Sequence, residues 1–263
     1  MGIVVGIDIG GSTTKIAGFN GEEMLLPVQI TASNAIASLF GAFGKFLYDN
    51  DLELIDIDQV NLTGVGSSNI KQKIYGLPTY KVDEFSANGV GGGYFAEGKE
   101  DFMVVSMGTG TSFVRVQNRI PTHLGGIGIG GGTITGLSKL MLNTDDVDKI
   151  QEMASEGNVA HIDLRIGDIS NKPLPGLDLE ITASNFGKAS SRADCEDKAA
   201  GIVHMVIETI CQTAVLIANG YNIKDFVLIG NLINFPECWS VCDMIKIMYP
   251  YVNFIIPEDG EYG

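Results

Sequence analysis

The chain has 263 residues, enough for one large domain or two modest ones, and 45% are hydrophobic against 19% charged. That balance supplies a buried core and excludes a disordered chain. Acidic residues outnumber basic ones 32 to 17, giving a net charge of −15 with no basic cluster, which excludes a binder of nucleic-acid phosphates. In chain order the pattern alternates strands and helices, an α/β signature. Residues 3–7 and 14–19 read as paired strands, 24–30 as a third and 35–48 as a helix, from apolar spacing. Short strands at 59–63 and 79–81 and a glycine-containing helix at 84–95 follow. The pattern then restarts with a strand at 101–107, a hairpin at 111–116 and 119–122, and a helix from 133 to 142. Residues 199–219 read as a long apolar helix, 226–229 as a strand, 238–248 as a helix and 252–256 as a strand. The stretch 172–179, with two prolines and a glycine, reads as a loop. The two expected lobes are therefore residues 1–97 and 98–263.

Nothing at Met1-Gly2 resembles the basic region of a signal peptide, and the apolar windows read as too short or interrupted to span a membrane. A cytoplasmic protein without membrane association is expected. Cys195, Cys211, Cys238 and Cys242 form no C-x-x-C pair, so they read as free or buried thiols in a reducing compartment. Cys238 and Cys242 are one helical turn apart, which suits shared burial.

Three glycine-rich loops carry the chemistry. GIDIGGSTTK places Asp8, Gly10-Gly11 and Ser12-Thr13 together, the groups needed to hold a polyphosphate and its Mg²⁺ on an acidic protein. Glycine amides and hydroxyls supply donors, and a carboxylate holds Mg²⁺ through water. SMGTGTS, with Gly108, Thr109, Gly110, Thr111 and Ser112, repeats the recipe at the head of the second half. Two such hairpins facing each other would enclose a ligand cleft. The third loop, residues 125–133, contains G-x-G-x-x-G at 126, 128 and 131, but a hairpin rather than a lone strand precedes it, against a dinucleotide fold. The helix after it would offer free N-terminal amides to an anion. No P-loop motif occurs anywhere. Asp83-Glu84 is the best-placed carboxylate pair, and because adjacent side chains diverge, at most one should face a ligand. His123 precedes the third loop and could donate a hydrogen bond there. No spacing suggests zinc.

GIDIGGSTTK, VDEF, SMGTGTS, LGGIGIGGGTITGL, TASNFG and VLIGN, in this order, resemble type II pantothenate kinases of the acetate-kinase/hexokinase/actin superfamily, across essentially the whole chain. The resemblance implies a duplicated actin-like, ribonuclease-H-like α/β fold with two lobes around an ATP cleft. It implies transfer of the ATP γ-phosphate to the terminal hydroxyl of pantothenate, the first step towards coenzyme A, in a homodimer that could also take acetyl-CoA or CoA. Carried over by motif, Glu84 is the catalytic carboxylate and Asp8 holds Mg²⁺ through water. Gly10, Gly11, Ser12, Lys15, Gly108, Gly130, Gly131, Gly132 and Thr133 line the phosphates, and Gly230-Asn231 hold the adenosine end. Thr109, Ser112 and His123 fall near the acceptor. Many members carry arginine where this chain has His123, and asparagine where it has Ser106; they also continue past PEDGEYG into a short helix. Two alternatives stand beside this kinase: an ATP- or acyl-CoA-binding protein without that activity, and an iron–sulfur ATPase activator of a radical dehydratase, which needs cysteines near the loops.

Overall fold

The computed structural model describes residues 2–11, 13–31, 34–170, 172, 178–189 and 192–263. They divide into two compact units, one running to Gly91 and taking in Tyr262, the other running from Gly92 to Glu261 with Gly263.

In the first unit, β1 (Ile3–Ile9) alternates buried Ile3, Val5, Ile7 and Ile9 with half-exposed residues, so one sheet face is apolar and the other open to polar groups. β2 (Thr13–Asn20) returns antiparallel to β1. The expected strand at 24–30 is two strands, β3 (Glu23–Met24) and β4 (Val28–Thr31), both paired to β2. Pro27 lies between them and has no N–H for a ladder. α1 (Ala35–Asp49) starts where the Asn34 side chain accepts from the amides of Ile36 and Ala37, both at 3.1 Å. It lays Leu39, Ala42, Phe43 and Phe46 on the apolar face. The crossover through α1 allows β5 (Ile57–Thr63) to run parallel beside β1, and β6 (Thr79–Lys81) beside β5. α2 (Glu84–Tyr94) begins in this unit and ends in the next.

The second unit repeats this order. β7 (Asp101–Met107), β8 (Thr111–Gln117) and β9 (Ile120–Ile127) form an antiparallel meander. α3 (Gly131–Leu142) and α4 (Val147–Glu156) follow, then the short β10 (Leu164–Arg165), α5 (Ile166–Ile169) and β11 (Thr182–Ser184). α6 (Cys195–Asn219) crosses back so that β12 (Asp225–Ile229) pairs parallel with β7. After α7 (Glu237–Met248), β13 (Asn253–Ile255) pairs parallel with β12. The sheet orders β6-β5-β1-β2 and β13-β12-β7-β8 therefore correspond strand for strand, the structural form of the sequence echo between GIDIGGSTTK and SMGTGTS.

Two expectations are corrected here. α6 has 25 residues and is apolar and long enough by composition to cross a membrane, contrary to the reading that no window was. Most of its apolar stretch is buried inside its own unit, where Ile202, Val203, Val206, Ile207 and Ile210 pack on the sheet. α4 has no counterpart in the sequence reading, although Asp146 caps it by accepting from Asp148 and Lys149 amides and Ile150 and Ala154 are its buried residues. Of the loop expected at 172–179, residues 173–177 lie outside the described residues. Cys211, Cys238 and Cys242 are buried in the core of this unit, and Cys195 is exposed at the start of α6. A hydrogen bond with Cys242, then burial, pushes the Cys238 thiol well above its ordinary range, so it is a packing group and not a nucleophile.

Candidate active site

In the first unit the polar face of the sheet ends in a row set by register. Asp8, near the end of β1, lies opposite Lys15 of β2 on one side and beside Thr63 of β5 on the other. Cross-strand partners share a face, so Lys15, Asp8 and Thr63 project together, away from the apolar side where Ile7 and Ile9 are buried. The next residue, Gly64, has φ +81, and a Cβ there would lie 2.1 Å from Asp8 Oδ1 and 2.6 Å from the Ile9 carbonyl. Only glycine leaves the Asp8 carboxylate its place. Gly10 closes the β1–β2 turn by donating to the Thr13 carbonyl at 2.9 Å, and Gly11 is exposed with open space where a Cβ would be. Ser12, expected to contact phosphate, lies outside the described residues.

The Asp83-Glu84 pair divides its labour. Asp83 caps α2, accepting from the Ser86 amide at 2.8 Å. Glu84 is the first residue of the helix, exposed, with its carboxyl held above the ordinary glutamate range by partial burial, then by the charge of Asp8, then by Asp83. Asp8 is itself raised, by burial, against the pull of Lys15. A carboxyl raised by burial is penalised in its charged form. Its contribution to stability is whole below the ordinary 3.8 and is lost as pH rises through the raised folded value. Asp8→Asn is therefore expected to raise the melting temperature of the ligand-free protein at pH 7, with the gain vanishing in acid below about 3.8. Thermal melts across that window check it, and a loss of stability at pH 7 would contradict it.

In the second unit, three loops meet at one end of the sheet. The Gly108–Gly110 turn between β7 and β8 uses two of its carbonyls as helix caps: Gly131 donates to Gly108 at 2.8 Å and Gly132 to Thr109 at 2.9 Å. Thr133 Oγ1 accepts from the Gly130 amide at 3.2 Å. The start of α3 therefore offers no free Gly131 or Gly132 amide to an anion, contrary to the sequence expectation, because the neighbouring turn already satisfies them. The turn's own amides, those of Gly108, Thr109 and Gly110, make no backbone hydrogen bond among the described residues, so the amide donors left open here belong to SMGTGTS. Gly130 is essential to this packing, since a Cβ would sit 2.7 Å from the Thr109 carbonyl and 2.8 Å from that of Gly108. Gly230, with φ +96, follows β12 and lies against Met107, whose carbonyl a Cβ would approach to 2.5 Å. Asn231 opens the next turn, and its Oδ1 is buried with no hydrogen-bond partner.

His123 is placed by a β-bulge. Ser112 pairs with Gly126 and Phe113 with Gly125, but Val114 pairs with His123, so Leu124 is the extra residue. Without the bulge His123 would stand opposite Arg115 and face the other way. With it, His123 joins Ser112 and Val114 on one face of the sheet. Gly125, at φ +148, supplies the backbone this requires.

A family model described as Fumble matches residues 45–243. A type II pantothenate kinase of Bacillus cereus strain G9842 is 32% identical over 262 residues, covering 93% of this chain and 86% of the relative. The chain belongs to the Fumble family. Its fold is shared with the ADPNP-bound activator of 2-hydroxyisocaproyl-CoA dehydratase from Clostridium difficile, at a TM-score of 0.69 and 15% identity over 98% of this chain and 90% of that one. A ROK hexokinase from Thermus thermophilus aligns at 0.51 and 13% identity, over 95% and 89%. These likenesses establish the actin-like, hexokinase-type α/β fold. Of the cysteines of this Fumble-family chain, three are core residues and the fourth opens α6.

Three features of this Fumble-family chain escaped sequence reasoning. Thr63 was read only as the end of a strand, and parallel register alone places it beside Asp8. The bulge at Leu124 has no signal beyond an extra glycine. His204, which lies in no motif, hydrogen-bonds Asp163 at 2.8 Å, and Asp163 also accepts from the Phe186 amide at 2.8 Å. This fully buried carboxylate holds TASNFG in place, with Phe186 at φ +58.

Proposed function

We propose that this chain is an ATP-dependent kinase that phosphorylates the terminal hydroxyl of pantothenate, the first step of coenzyme A biosynthesis. The observation that carries the proposal is Glu84, a carboxylate whose proton affinity is raised beside Asp8 at the start of a capped helix. The relatives named type II pantothenate kinase supply the acceptor. In this scheme the acceptor oxygen attacks the γ-phosphorus in line, its proton passes to Glu84, and the bond from the γ-phosphorus to the bridging oxygen breaks to release ADP. Little covalent work falls to the protein, so positioning and charge neutralisation dominate. Amides of Gly11 and of the Gly108–Gly110 turn, with Lys15, would bind phosphate oxygens. Gly130 and Gly132 keep that turn in place, Thr133 closes the loop beside it, and Gly230-Asn231 would meet the adenosine end. Thr109, Ser112 and His123 would position pantothenate.

The residues present fit Mg²⁺. A single carboxylate, Asp8, suits an ion that keeps most of its waters, and the unbonded hydroxyl of Thr63 stands beside it. Bound there, Mg²⁺ would neutralise phosphate charge. The same reading makes the enzyme a cytoplasmic homodimer, with CoA or acetyl-CoA as a further ligand. Light scattering in solution and competition of acetyl-CoA with ATP test these two points.

A second reading, a protein of this fold with a different acceptor or none, is favoured by His123. Histidine offers a short ring with two nitrogens, whereas the arginine of many members is a permanent forked donor. If pantothenate is the acceptor, His123→Arg is expected to lower the KM for pantothenate without lowering kcat. Wild-type protein that binds ATP but shows no pantothenate-dependent ADP release, with none gained by the Arg variant, would favour the second reading.

A further inference from the structure

We propose that Thr63 is a positioning residue of the cation–phosphate site, its hydroxyl donating to the Asp8 carboxylate once a divalent cation is held there. The proposal rests on the kinase reading above and adds a residue to it. Thr63 is the last residue of β5 and stands in parallel register with Asp8, so both side chains leave the same face of the sheet. Its Oγ1 is buried and makes no hydrogen bond. Buried hydroxyls are nearly always bonded, so one left open beside a ligand-binding carboxylate implies a bond that forms in another state. The Asp8 carboxylate leans towards the end of β5, into the space that the missing Cβ of Gly64 leaves, with Oδ1 only 2.1 Å from that Cβ position. Lys15 stands in register on the opposite side. Asp8 is thus held between a fixed positive charge and an unused hydroxyl.

Thr14 makes the contrast. Its Oγ1 is also buried and unbonded, but it pairs in register with Ile9 and shares the face of that buried residue, away from Asp8. A cation held at Asp8 fixes the carboxylate in place, and a neighbouring hydroxyl can then donate a charge-assisted bond to it. Such outer partners of a metal ligand typically change metal affinity 10–100-fold when removed.

The test compares Thr63→Val, which keeps the branched shape, with Thr63→Ser, which keeps the hydroxyl. Mn²⁺ affinity in the presence of ADP is read by electron paramagnetic resonance, ADP affinity is measured in EDTA, and the ligand-free protein is melted. Thr63→Val is expected to weaken Mn²⁺ binding about 10-fold, leave metal-free ADP binding unchanged, and melt at or above wild type. That last sign follows because a methyl group replaces a buried, unbonded hydroxyl. Thr63→Ser is expected to track wild type. Mn²⁺ binding by Thr63→Val equal to wild type would overturn the proposal, as would a serine variant as weak as the valine one. A ligand-free valine variant melting well below wild type would show a structural role instead. Wild-type protein that binds no Mn²⁺–ADP would overturn the kinase reading and this inference together; wild-type binding with an unaffected valine variant would sink this inference alone.

Discussion

Glu84→Gln is expected to lower pantothenate-dependent ADP release by about 10²–10⁴-fold, the usual worth of a general base, while ATP binding persists. The geometry supports this separation. Glu84 is the exposed first residue of α2 and caps nothing, since Asp83 takes the Ser86 amide. Amidation therefore removes a proton acceptor without unmaking the helix. The pH profile gives a second signature. Partial burial, Asp8 and Asp83 all hold the Glu84 carboxyl above the ordinary 4.5, and the reaction needs it ionised. Activity should fall on the acid side at a pH above the ordinary glutamate range, and the residual activity of Glu84→Gln should lose that limb. A glutamine variant with wild-type turnover would remove Glu84 from the mechanism.

Gly64→Ala is expected to damage both the fold and the site. A non-glycine residue held at φ +81 costs roughly 1–3 kcal/mol in backbone strain. The added methyl group also meets the Ile9 carbonyl at 2.6 Å, and Ile9 is fixed in the β1 ladder, so the backbone cannot easily yield. The remaining route of relief is to push the Asp8 carboxylate aside. A fall in melting temperature on the order of 5 °C is expected, together with loss of Mg²⁺-dependent ATP binding. Calorimetry and nucleotide titration with and without Mg²⁺ separate the two effects. Gly11→Ala, at an exposed position with open space, is the matched control and should melt like wild type.

Much of this was legible in the sequence because it lay in local pattern. Alternating burial marked β1 and β2, and the repeated glycine–hydroxyl loops marked the ends of β1 and β7. What the sequence could not show was set by pairing over distance. Register brings Thr63 and Lys15 to either side of Asp8 across 55 and seven residues of chain respectively. One extra residue in β9 decides which face His123 takes. The free amides expected at α3 went to carbonyls of a turn some 23 residues earlier, a choice no helix-start signal contains. For the Asp83-Glu84 pair, only the capping bond shows which of the two holds the helix.

The most direct test of the proposed activity is a coupled ADP-release assay on the purified protein with Mg²⁺–ATP, with and without pantothenate. The expected result is ADP release that depends on pantothenate, with phosphate recovered on its terminal hydroxyl and the rate lowered about 10²–10⁴-fold by Glu84→Gln. ATP binding with no pantothenate-dependent release, or release that Glu84→Gln leaves intact, would contradict it.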